Sequence, residues 1–274
     1  MDRIPIERGG RQVSYLAVWL EEPPVPCDGA LAVVYLHGFG SYQSGQKATF
    51  FRRRMLAHGV AFCSLDFQGH GESGGSLFDL TMSRNLADVG RVHGYLRARG
   101  YQRIILMGSS MGGGSALWYA ALHPQDIVAG VHLAASVRLH ENLLRTLSPE
   151  EARRWERDGK MRFTSELVDC EISWNLIEDL RSFQLDRLRS LYRTPTLLVH
   201  GKQDDTVPWE QVVDFVTECE YDELEFHLFA DGDHRLIDRL EHLGELMLGF
   251  LSARGIVPDR RGAAPGSPAA ETAP

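Results

Sequence analysis

The apolar run at Arg103–Met107 stops abruptly at Gly108-Ser109-Ser110-Met111-Gly112, and a helix-period stretch begins at once. A strand-to-helix turn of the form G-x-S-x-G lifts one serine hydroxyl clear of a sheet and aims it at a ligand. Ser110 is therefore the candidate nucleophile. The glycines serve the turn, because a Cβ two residues before or after the serine would strike neighbouring backbone. The same five-residue pattern recurs at Gly71-Glu72-Ser73-Gly74-Gly75. There the preceding stretch is polar and glycine-broken and no helical run follows, so Ser73 is expected to be a loop residue.

A serine hydroxyl is a weak nucleophile and needs a base, which in turn needs an orienting acid. The run Thr196–Gly201 reads as a buried strand, and the polar turn Lys202-Gln203-Asp204-Asp205-Thr206-Val207-Pro208 follows its end. A second strand at Leu224–Phe229 leads into Ala230-Asp231-Gly232-Asp233-His234 and then a helix-period stretch from Leu236 to Leu251. His234 is the candidate base. On chemistry alone either Asp204 or Asp205 could orient it. Asp231 and Asp233 are expected to shape the His234 loop. His37 and His200 stand before glycines at strand ends, where structural hydrogen bonds are expected of them, and His70 belongs to a G-H-G turn.

Four stretches together resemble the α/β-hydrolase superfamily over about residues 12 to 252. They are Leu36-His37-Gly38-Phe39-Gly40, Asp66–Ser73, the serine turn, and His200–Trp209 with Asp233-His234-Arg235. The last pair is similar in detail to the mitochondrial palmitoyl-protein thioesterase and acyl-glucuronide esterase branch. The resemblance implies the chain order serine, aspartate, histidine and puts the acid at Asp204. It also implies an oxyanion hole made of the backbone N–H groups of Met111 and Phe39, since an acyl-transfer enzyme needs donors aimed at the oxygen that becomes negative. The implied chemistry is hydrolysis of a small-molecule carboxylic ester or thioester through an acyl-enzyme, with no metal or organic cofactor. Two other readings stay open: lactone or C–C bond hydrolysis on the same residues, and a ligand-binding protein of this fold without turnover.

The elements that must position these groups alternate along the chain. Strand-like stretches at Val13–Leu20, Leu31–Leu36, Val60–Asp66, Arg103–Met107 and Val128–Ala134 are separated by helical ones at Lys47–His58, Arg84–Arg99 and Gly113–Leu122. Such alternation predicts an α/β fold with a mostly parallel central sheet and helices on both faces. Functional loops then gather at the carboxyl ends of the strands, where Phe39, Ser110, Asp204 and His234 all fall. Alternation breaks between Ser136 and Tyr192. The predicted organisation is a hydrolase core in two parts, 1–135 and 193–254, with a short helical cap inserted at 136–192 and a disordered tail at 255–274. Within the insertion, Ser148-Pro149-Glu150-Glu151 is a helix start. Trp155, Phe163 and Trp174 are its candidates for lining an acyl pocket.

Composition bounds the remaining possibilities. A chain of 274 residues buries roughly three quarters of its unfolded surface, enough for one large core. Its net charge of −8, with acids and bases interspersed, argues against a nucleic-acid partner, which would call for a basic stripe. Cys27, Cys63, Cys170 and Cys219 lack C-x-x-C spacing, which argues against a zinc site or a disulfide framework. No apolar run approaches the roughly 18 residues of a membrane span and no leader is visible, so a soluble cytoplasmic protein is expected.

Overall fold

The computed structural model describes residues 1–27, 30–164 and 168–258. Its strands are β1 (Asp2–Arg8), β2 (Arg11–Glu21), β3 (Leu31–Leu36), β4 (Ala61–Leu65), β5 (Arg103–Ser109), β6 (Ile127–Leu133), β7 (Lys160–Thr164), β8 (Asp169–Ser173), β9 (Thr196–Gly201) and β10 (Leu224–Phe229). The helices are α1 (Gln46–Ala57), α2 (Met82–Arg97), α3 (Met111–Leu122), α4 (Leu139–Arg145), α5 (Pro149–Asp158), α6 (Asn175–Leu180), α7 (Leu185–Leu191), α8 (Glu210–Glu218) and α9 (Leu240–Ala253). Eight strands form one sheet in the order β1-β2-β4-β3-β5-β6-β9-β10. β2 runs antiparallel to β1 and β4, and the pairings from β4 to β10 are all parallel.

The central strands are buried along their whole length because helices cover both faces of the sheet. Period-2 alternation divides β3 between two cores. Leu31, Val33 and Tyr35 join Phe51, Met55, Leu243 and Met247 under α1 and α9. Ala32, Val34 and Leu36 join Val92, Leu96, Leu117, Trp118 and Phe215 under α2, α3 and α8. Both cores lock the same strand, so the loops at its carboxyl end start from a fixed frame.

Three features depart from the sequence expectation. β1 carries Pro5 and was not foreseen; as an edge strand it tolerates a residue that donates no ladder hydrogen bond. The stretch from Leu236 is not one helix: Leu236 itself is left-handed at φ 53°, a short 3₁₀ turn follows at Ile237–Arg239, and α9 begins at Leu240. Ile256 and Val257, expected in the tail, are buried against the α9 core; residues 259–274 of that tail lie outside the described residues. Among the described residues no helix is long and apolar enough to cross a membrane.

Between β6 and β9 the chain forms α4 to α7 and also an antiparallel hairpin, β7 with β8, where helices alone were expected. α5 opens as its sequence predicts, with a Ser148–Glu151 capping box and proline in its first turn. Trp155 on α5 is wholly buried, donates from Nε1 to the Ile172 carbonyl at 3.1 Å, and stacks edge-on against Phe163 and Trp174 with centroids 5.3 Å away. The three aromatics thus pin the hairpin to the helix. Trp155→Ala should therefore destabilise the protein by roughly 3–5 kcal/mol, read by urea unfolding. An unchanged midpoint with altered acyl selectivity would return this residue to the role of pocket lining.

Candidate active site

β5 delivers Ser110 into the turn before α3. Its φ of 55° and ψ of −120° are strained for a residue with a side chain, a conformation that costs on the order of 1–3 kcal/mol and persists only where surroundings hold it. Here the Ser110 N–H donates to the Leu133 carbonyl at 2.9 Å, and its own carbonyl accepts from Gly114 at 3.0 Å and Ser136 at 3.1 Å. A Cβ at Gly108 would lie 2.4 Å from the Gly112 carbonyl oxygen, and one at Gly112 would lie 2.2 Å from that of Leu36. Those glycines let α3 sit directly on β3 and β5.

Asp204 and His234 arrive from the ends of β9 and β10. A Cβ at Gly201 would meet the Gly232 carbonyl oxygen at 2.2 Å, so the two loops touch through backbone alone. The Gln203 N–H also donates to Gly232 at 2.9 Å. His234 Nδ1 lies 2.7 Å from Asp204 Oδ2, and its Nε2 lies 3.1 Å from Ser110 Oγ. A carboxylate facing Nδ1 fixes the proton there, leaving Nε2 to accept from the serine hydroxyl. Asp205 is exposed, and its carboxylate accepts from Thr206 instead.

The Asp204 side chain is fully buried, yet every lone pair finds a donor. Oδ1 accepts from the N–H groups of Thr206 at 2.9 Å and Val207 at 2.7 Å. Oδ2 accepts from His234 and from His200 Nε2, the latter at 2.9 Å. Burial pushes the carboxyl pKa up, but the hydrogen bonds from His200 and His234, the His234 charge and the Val207 N–H outweigh it and hold the group well below the usual carboxylate range. Such a depression stabilises the folded state above the ordinary aspartate pKa of about 4 and is lost only on acidifying through the folded value.

The loop after β3 borders the serine on the other side. Gly38 lies against it, with a Cβ there 3.3 Å from Ser110 Cβ. The Gly38 carbonyl accepts from the Ser41 N–H at 3.1 Å and from His37 Nδ1 at 2.7 Å. His37 Nε2 accepts from the Phe67 N–H at 3.1 Å, so the proton must sit on Nδ1. In a planar trans peptide, pinning that carbonyl turns the Phe39 N–H the opposite way. Met111 opens α3, and the first amides of a helix have no intrahelical acceptor. Asp66 anchors the same region by accepting from the backbone and side chain of Gln43 at 2.6 and 2.9 Å and from the Glu72 N–H at 2.9 Å. Ser73 donates to the Asp66 carbonyl and accepts from the Ala17 N–H at 2.8 Å. It is a loop pin, as its context predicts.

A cleft of about 300 Å³ opens over Ser110 and His234, bordered by Phe39, Tyr42, Lys47 and Arg235 among others. Trp155, Phe163 and Trp174, expected to line an acyl pocket, are not part of this cleft; they pack the inserted segment against itself. Eight-stranded order, a strained serine between β5 and α3, and Asp204 and His234 brought to it from two other strand ends are together the architecture implied by the motifs. The chain has the α/β-hydrolase fold. Residues 29–157 of this hydrolase match the serine aminopeptidase S33 family. It is 28% identical over 215 residues to the bovine (Bos taurus) mitochondrial palmitoyl-protein thioesterase ABHD10, an alignment spanning 76% of this chain and 68% of that protein. Among solved structures it resembles mouse α/β-hydrolase domain-containing protein 10, with TM-score 0.77 and 22% identity over 93% of this chain and 100% of that one. It also resembles the Butyrivibrio proteoclasticus protein Est1E with ferulic acid bound, with TM-score 0.75 and 23% identity over 91% and 99%. The ABHD10 relative is named as a mitochondrial protein, whereas a cytoplasmic location had been expected from the sequence.

Two residues at the site carried no signal for this place in the sequence. His200 was expected to make a structural hydrogen bond, and its partners prove to be the Asp204 carboxylate and the Val207 carbonyl at 3.0 Å. Lys47, read only as a helix residue, donates to Ser109 Oγ at 2.7 Å beside the serine turn. Burial lowers its pKa to about 8, partly offset by the Asp233 charge.

Proposed function

We propose that this hydrolase cleaves a carboxylic ester or thioester through an acyl-enzyme on Ser110, with His234 as base and Asp204 as its orienting acid. The observation that carries this reading is the continuous hydrogen-bond line from Ser110 Oγ through His234 to the buried Asp204 carboxylate. Ser110 Oγ attacks the acyl carbon while its proton passes to His234 Nε2. The bond to the leaving oxygen or sulfur then breaks, and that atom takes the same proton. Water repeats the sequence on the acyl-enzyme and releases the acid. The N–H groups of Phe39 and Met111 are the donors proposed for the tetrahedral oxyanion. The name of the thioesterase relative supports the ester or thioester class; the cleft beside Ser110 supports a small-molecule substrate.

The test is labelling of Ser110 by a fluorophosphonate, followed by turnover of p-nitrophenyl esters and acyl-thioesters. Labelling with turnover bears the reading out; a folded protein that neither labels nor turns over is a binding protein of this fold.

His200 is assigned a positioning role, since its Nε2–H bridges Asp204 Oδ2 and the Val207 carbonyl. His200→Phe should lower kcat on the order of 10-fold to 10²-fold by freeing the carboxylate to turn, with KM little changed. His200→Gln, which retains a donor, should recover part of that loss. Equal kcat values for both variants and wild type would remove the role.

A further inference from the structure

The cleft over Ser110 has an unusual charge. In a chain with 37 acidic and 29 basic residues, its lining includes Lys47 and Arg235 and no carboxylate. Some arginines elsewhere are neutralised by their neighbours: Arg54, Arg189 and Arg254 each hold two acidic partners. Among the described residues no ion pair is formed by Lys47 or Arg235. Lys47 stands in the first turn of α1, where the helix dipole opposes a cation, and its ammonium touches only a neutral hydroxyl. The nearby acids act on Lys47 without pairing with it. Asp233 Oδ1 accepts from the Leu236 N–H at 2.7 Å, and both oxygens of Asp204 are taken.

Two cations that form no ion pair, with Asp233 and Asp204 acting on Lys47 only at longer range, make a poor wall for an alkyl chain and a good one for an anion. On the reading that Ser110 is an acyl-transfer nucleophile, we propose that the substrate carries a carboxylate or similar compact anion near the scissile carbonyl, held by Lys47 and Arg235. The anion could be borne by the acyl group or by the leaving group. Ser41 and Tyr42, which also line the cleft, are neutral hydroxyl-bearing residues.

Matched ester pairs test this at low ionic strength. The acyl arm compares the mono-p-nitrophenyl ester of adipic acid with p-nitrophenyl hexanoate. The leaving-group arm compares p-(butyryloxy)benzoate with its neutral methyl ester. We expect the anionic member of one pair to have the higher kcat/KM and its advantage to shrink as salt is added. Lys47→Met and Arg235→Gln should each cut the anionic-to-neutral ratio by roughly tenfold. Arg235 is exposed, so its variant carries the test even if Lys47→Met does not fold. A wild type without anion preference in either arm, or a preference that survives both substitutions, overturns the proposal. Fluorophosphonate labelling of Ser110 separates the two levels: labelling without anion preference sinks this proposal alone, and absence of labelling in folded protein sinks the hydrolase reading with it.

Discussion

Replacing Ser110 by alanine is expected to lower kcat by on the order of 10⁴-fold or more, leaving only what the oxyanion donors and binding supply. The hydroxyl is the atom 3.1 Å from His234 Nε2, and among the described residues no other serine shares that contact: Ser109 Oγ faces Lys47 and Ser73 Oγ faces the Asp66 carbonyl. Alanine also suits the strained turn no worse than serine does, so folding should be retained. Ser73→Ala supplies the contrast. It removes a pin between β2 and the loop after β4, and should cost about 1–3 kcal/mol of stability while kcat at a temperature where the variant is folded stays within a few-fold of wild type. Steady-state kinetics with a thermal melt distinguishes the two. A reversal of their effects would move the nucleophile to Ser73.

The second large effect concerns the base and its acid. His234→Ala should be as damaging as Ser110→Ala, and the double variant no worse than either, because the two groups act as a unit. Asp204→Asn should cost on the order of 10²- to 10⁴-fold, and its geometry says why. The Asp204 carboxylate accepts on both oxygens, from two backbone N–H groups on one side and two histidines on the other. An amide must turn its NH₂ toward one of these donor pairs. Facing the backbone it meets two N–H groups head-on; facing His234 it shifts the imidazole proton to Nε2, which then points a donor at Ser110. Asp205→Asn touches neither, and its activity should stay near wild type. A greater loss from Asp205→Asn than from Asp204→Asn would transfer the acid role.

The legible part of this site is the part written locally. Gly108, Ser110 and Gly112 declare themselves because a turn this tight leaves no room for side chains, and the sheet follows from alternation of buried runs with helical ones. What was not legible depends on contacts between distant segments. Hydrophobicity marks Trp155, Phe163 and Trp174 for burial, but not which cavity they fill, and they fill their own. Lys-Met-Arg-Phe-Thr and Asp-Cys-Glu-Ile-Ser are short and half polar, so the β7–β8 hairpin hides within a charged stretch. Lys47 reads as an ordinary helix lysine until α1 is set beside β5. His200 and Asp204 lie only four residues apart, yet their bond exists only once the turn after β9 folds back.

The inserted segment leaves the sheet at Leu133 and returns at Thr196, while β6 and β9 pair directly in parallel register, Gly130 beside Thr196 and Leu133 beside Val199. The sheet thus closes on itself as though nothing intervened. Loop-closure entropy grows only logarithmically, so doubling the length of such an excursion costs about 0.6 kcal/mol. Ser110, Asp204, His234 and Phe39 all stand outside it. An architecture of this kind lets lineages exchange, lengthen or rebuild the excursion at small thermodynamic cost, altering which molecules are admitted while inheriting the same chemistry.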